Sequence, residues 1–145
     1  MIEPAIKQLI SENRSAISQL TEHPQPSWDN LIKPLELMGD RLDKAWSPVR
    51  HLNSVKSSPD MREAYNKCLP LLSEYSTEIS QNHDLYQGYR DIAASAIFNE
   101  FSPAQQKTIT DALKHFRLGG VELEGKDRAR YQQLQKDLSD LQSRF

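Results

Sequence analysis

The chain has 145 residues, the length of one ordinary domain, and 37% of them are hydrophobic, which is enough for a modest core. Its 18 basic and 20 acidic residues nearly cancel and form no basic block, which argues against a nucleic-acid partner. The purest apolar run, Ile92 to Phe98, falls far short of the roughly 20 residues that a bilayer span needs, so neither a transmembrane helix nor a membrane partner is expected.

Three valines and four threonines are few for a sheet, whereas good helix formers abound. An all-α fold is therefore expected, an antiparallel bundle of five to six helices. Ile2, Ile6, Leu9, Ile10, Ala16, Ile17 and Leu20 recur at steps of three and four, forming one stripe of a first helix that His23-Pro24-Gln25-Pro26 stops. Ser27 stands where a cap belongs. After it Trp28, Leu31, Leu35, Met38, Leu42 and Ala45 form a heptad seam, which keeps its phase across Pro34 and so predicts a bend there rather than a stop.

Three Ser-Pro pairs, Ser47-Pro48, Ser58-Pro59 and Ser102-Pro103, each combine a capping hydroxyl with a residue that has no N–H to lose, and each reads as a helix start. Met61, Tyr65, Cys68, Leu72, Tyr75 and Ile79 come after the second pair, with a further bend expected at Pro70. Leu85, Tyr89, Ile92 and Ala96 mark a fourth segment, and Ile109, Leu113 and Phe116 a fifth that ends at Gly119-Gly120. The last stripe, Tyr131, Leu134, Leu138, Leu141 and Phe145, carries no stop signal, and the first has no preceding cap. Both ends therefore read as cut from a larger protein. The final stripe is expected to be exposed and open to self-association without physiological meaning, unless it folds back on Ile109, Leu113 and Phe116.

No catalytic, cofactor-binding or metal-ligating residue emerges from the side chains themselves. The four histidines, His23, His51, His83 and His115, lie too far apart to share a helix turn, and HExxH is absent. His51, Asn53 and Ser54 sit in a stretch that reads as a connection between helices, where they either serve function or pin the joint. Cys68 lies on an apolar stripe and reads as an inert core thiol, and the tyrosines read as packing groups with their hydroxyls at the rim. With no second cysteine to pair with, and no basic and apolar leader after Met1, a reducing cytoplasmic setting fits.

The run Ser47-Pro48-Val49-Arg50-His51-Leu52-Asn53-Ser54-Val55-Lys56, continued by Ser58-Pro59-Asp60-Met61-Arg62-Glu63-Ala64-Tyr65 and Leu69-Pro70-Leu71-Leu72-Ser73-Glu74-Tyr75, resembles the N-terminal helical region of the thimet-type oligopeptidases, in particular the bacterial members. Pro4-Ala5-Ile6, Trp28-Asp29-Asn30-Leu31 and Pro34-Leu35 fit the same pattern, so the likeness spans nearly the whole chain. The resemblance implies a larger zinc metallopeptidase that cleaves short peptides in a channel between two helical halves. Residues 1–145 would form the N-terminal wall of that channel. The zinc-holding HExxH helix and its further Glu lie in none of these residues, so this stretch is expected to be inactive alone. The competing reading is a non-enzymatic helical interaction module whose apolar seams bind partner helices.

Overall fold

The computed structural model describes residues 1–145 as six α-helices without a strand. Helix α1 (Ile2–Thr21) buries Ile6, Ile10, Asn13 and Ile17, the inward positions of its three-four stripe. The next element begins with a reciprocal cap: Ser27 Oγ accepts from the Asn30 N–H at 3.2 Å while Asn30 Oδ1 accepts from the Ser27 N–H at 2.7 Å. One turn of π-helix, Trp28–Ile32, then leads into α2 (Lys33–Val55). Pro34 explains it. Proline has no N–H for the Asn30 carbonyl and its ring crowds that oxygen, so the chain widens and the Lys33 N–H reaches back five residues to the Trp28 carbonyl. The helical path continues past Pro34, and the seam keeps its phase.

One expected helix start is corrected. Pro48 lies inside α2, which runs unbroken to Val55, and only Lys56, Ser57 and Ser58 separate it from α3 (Pro59–Ser80). Trp46 and Val49 are both buried on either side of Pro48, so tertiary packing of that face outweighs the missing hydrogen bond. The three-four steps Leu42, Trp46, Val49, Asn53 carried this signal in the sequence. His51, Asn53 and Ser54 accordingly lie on the last turns of α2 rather than on a connection, and Ser54 Oγ merely bonds back to the Arg50 carbonyl.

The other two Ser-Pro pairs do cap helices. Ser58 Oγ accepts from the Met61 N–H, and Ser102 with Gln105 forms a second reciprocal cap at the start of α5 (Pro103–Leu118). Pro70 sits in the middle of α3. Trp46 of α2 stacks on Tyr65 of α3 at 5.1 Å, and the Arg14–Glu78 pair ties α1 to α3. Helices α2 and α3 are therefore antiparallel, and α1 and α3 parallel.

Helix α4 (His83–Ala94) stops at Ser95, so Ala96 opens a short 3₁₀ turn, Ala96–Glu100, instead of extending the fourth segment. Tyr86 and Tyr89 of α4 lie 5.7 and 5.4 Å from the Phe116 ring, which closes α4 and α5 into an antiparallel pair. Gly88 faces Leu31 so closely that a Cβ there would stand 2.5 Å from Leu31 Cδ2. At the end of α5 Gly120 takes φ +84°, the left-handed region that only glycine enters without strain, and the chain turns into α6 (Gly125–Arg144).

Helix α6 lies antiparallel along α3 with its polar side inward: Arg128 donates to the Gln81 carbonyl and Gln132 to Gln81 Oε1, while Ser139 is buried. Its apolar stripe faces outward, with Leu134, Leu138 and Leu141 about half exposed. The fold-back contact with Ile109, Leu113 and Phe116 is thus not made by these leucines.

Candidate functional site

Helices α2 and α6 both flank α3, and a long groove runs between them. Its wider lobe, about 820 Å³, is floored by Leu72, Tyr75 and Ile79 of α3 and walled by Leu35 of α2 and Tyr131 of α6, with Phe116 of α5 closing one end. A narrower lobe of about 340 Å³ continues past Gly39 and Leu42 to Trp46 and Ser139. Gly39, Leu42 and Leu72 line both lobes. The stripes of α2 and α3 thus have two duties: one edge packs into the core and the other is left as groove lining.

The charges on this lining have one sign. Glu36, Asp43 and Asp111 supply carboxylates, and no lysine or arginine lines either lobe. Asp111 accepts from Lys107 at 2.8 Å, which lowers its pKa. Deep in the wider lobe burial pushes the Tyr89 hydroxyl far above the usual tyrosine range, and the Glu36 carboxylate adds to that shift. Burial raises Tyr75 as well, with the Arg14 charge opposing. The two tyrosines hold their protons and act as packing groups, not as acids or bases near neutrality.

Beside the groove stands a polar junction that the sequence did not announce. Gln81 is 1% exposed, donates through Nε2 to the Gly119 carbonyl at 3.2 Å and accepts from Gln132 at 2.8 Å, so one side chain joins the ends of α3 and α5 to α6. Gly119 has no room for a side chain there, since a Cβ would stand 2.5 Å from Ser80 Cβ. A polar residue continuing two steps beyond the α3 stripe carries little signal for this role.

The histidines, the cysteine and the tyrosines fall in separate places. Cys68 is fully buried, and desolvation raises its thiol pKa, which suits an inert core group. His23 joins the turn before α2, His51 lies exposed on α2, His83 begins α4, and His115 lines the groove. Tyr86 packs on Phe116 and its hydroxyl donates to Glu122 at 2.8 Å while accepting from Arg117 at 3.2 Å. No three His, Cys, Asp or Glu side chains converge, so these residues do not fit the zinc that the resemblance implies. No helix is long and apolar enough to cross a membrane.

Comparison with known proteins accounts for this helical frame. Residues 6–128 match the neurolysin/thimet oligopeptidase N-terminal domain. The chain belongs to that family. It is 46% identical over 144 residues to oligopeptidase A of Haemophilus influenzae, and 39% and 38% identical over 145 residues to those of Salmonella typhimurium and Escherichia coli. Each alignment takes in 99% of this chain but 21% of the relative, so the chain spans about a fifth of their length. Both loops around Ser58 and Ser102, and the Gln81–Gly119 junction, fall within the matched stretch of this oligopeptidase N-terminal domain.

Proposed function

We propose that residues 1–145 form the N-terminal helical domain of a peptidase that hydrolyses short peptides, and that they build the wall of its substrate channel without supplying a catalytic residue. The observation that carries the reading is the family match over residues 6–128, joined to relatives that bear the name oligopeptidase A along 99% of this chain. The chain's own chemistry supports the passive role: its histidines are dispersed, its one thiol is buried, and its buried tyrosines hold their protons. Rigid helices suit a wall, because an enclosed site rejects folded proteins by aperture alone and a close-packed frame keeps that aperture fixed.

On this reading the metal belongs to the other part of a longer polypeptide, and the resemblance supports zinc there, held by HExxH and a further Glu. The same resemblance supports the cytoplasm as its place, with short peptides as the only partners. Self-association through the α6 stripe would occur only with this chain by itself.

The test replaces the corresponding stretch of the Haemophilus oligopeptidase A with this chain and follows a short quenched fluorescent peptide. Hydrolysis by the chimera and none by the chain alone is expected. Hydrolysis by the chain alone, or a folded chimera without any, would overturn the reading.

A further inference from the structure

Resting on the reading that the chain is one part of a longer peptidase, we infer that the groove between α2 and α6 receives an amphipathic helix supplied by the same polypeptide outside residues 1–145. Three features describe this occupant. Its length is set by the wall: Leu35 to Trp46 is eleven helical steps of α2, about 17 Å, which matches three turns of a second helix laid alongside. Its inner face is apolar, because Leu72, Ile79 and Leu42 line the groove only half buried, each with one side still open. Its flank carries lysine or arginine, since Glu36 and Asp43 in the lining have no ion-pair partner within the chain, Asp111 alone being held by Lys107.

Two local details point to a helix seated closely there. Ser139, lining the narrower lobe, is 4% exposed and its hydroxyl has no hydrogen-bond partner within the chain. A buried hydroxyl left in that state is costly, and a group reaching in from the groove would satisfy it. Gly39 stands where the two lobes join, with nothing within 4 Å of where its Cβ would lie. Glycine is unfavourable in the middle of a helix, and here its bare backbone leaves space for a neighbouring helix to approach.

Size decides the source. A three-turn helix in such a groove buries less than about 1,000 Å² counting both sides, below the roughly 1,200–2,000 Å² typical of stable complexes between separate molecules. A covalently attached helix needs no such area, because tethering supplies an effective concentration of order millimolar. The relatives carry about four-fifths of their length beyond the stretch shared with this chain, so such a segment is available.

Thiol protection tests the assignment. Ser76→Cys, a near-isosteric change that leaves the gap at Gly39 open, places a thiol on the groove lining, and the native Cys68 is fully buried. Maleimide labelling is monitored in the chain alone and in the chimera with the rest of the Haemophilus protein, with urea-unfolded samples as the reference. The chain alone should label at close to the unfolded rate, and the folded chimera at least 100-fold more slowly. Equal rates in the two folded proteins would overturn the inference. So would protection in the chain alone that deepens with protein concentration, which marks a second copy, or protection in the chimera only on adding a short peptide, which marks substrate. If the chimera fails to fold, the aligned position of the Haemophilus protein itself carries the thiol and the same outcomes apply. Hydrolysis of a short peptide is assayed in the same preparation: activity with fast labelling defeats the docked helix alone, and protection without activity defeats the peptidase reading alone.

Discussion

Replacing Gln81 by leucine should cost about 2 kcal/mol of stability without changing helix content. Leucine keeps most of the volume, so little cavity forms, and the loss is polar. Gln81 Nε2 no longer donates to the buried Gly119 carbonyl, and an orphaned buried acceptor costs about 1–3 kcal/mol. Gln132 also loses its acceptor, but it lies at the surface and its amide can turn to water, which adds little. The Arg128 bond goes to the Gln81 backbone and survives. For a chain of this length about 2 kcal/mol corresponds to roughly 6 °C in melting temperature. Urea and thermal unfolding monitored by circular dichroism would measure it, and a double-mutant cycle with Gln132→Ala would isolate the shared bond. A Gln81→Leu chain within about 0.5 kcal/mol of the parent would refute the idea that this side chain joins the three helices.

Pro48→Ala should stabilise the chain by about 1–3 kcal/mol, because an exposed interior position of α2 gains a backbone donor; a neutral or destabilising result in urea titration would return Ser47-Pro48 to the role of helix start. Leu134→Glu together with Leu138→Glu should leave the melting temperature of a dilute sample nearly unchanged, within about 0.5 kcal/mol, since both side chains face away from α3; cooperative unfolding at a much lower temperature would place the stripe inside. Alkaline conditions should destabilise the fold. Tyr89 has a folded-state pKa raised above its unfolded value near 10, so the unfolded chain releases that proton first, and stability is full below about pH 10 and falls as pH climbs above it. Tyr89→Phe should flatten that slope in urea midpoints between about pH 8 and 11, and an unchanged slope would count against the burial of this hydroxyl.

Much of the architecture was legible in the chain because helix signals are local. The stripes of α1, α3 and α5 match their buried faces, and Ser27, Ser58 and Ser102 cap as their type and position require. Ser47-Pro48 misleads because the same dipeptide marks a start only where the preceding residues leave the helix, and here the core contacts of Trp46 and Val49 keep them in it. The inversion of α6 was not readable from periodicity. Its leucines define a stripe just as those of α3 do, yet α3 is met by the polar side, through Arg128, Gln132 and Ser139, a choice set by the other helices and by no local signal. The groove was hidden for the same reason, since Leu42, Leu72 and Ile79 obey the stripe pattern whether or not a neighbour covers them.

The central claim, that this chain is a passive wall restricting a peptidase to short peptides, is tested most directly by substrate size. The chimera with the Haemophilus protein would be given unstructured peptides of increasing length and one stably folded protein carrying the same cleavable sequence in a surface loop. Hydrolysis that is efficient for short peptides, declines as length grows and vanishes for the folded protein, with the chain alone inactive on all of them, is the predicted result. Equal cleavage of the folded protein and the short peptide by the chimera would contradict the account.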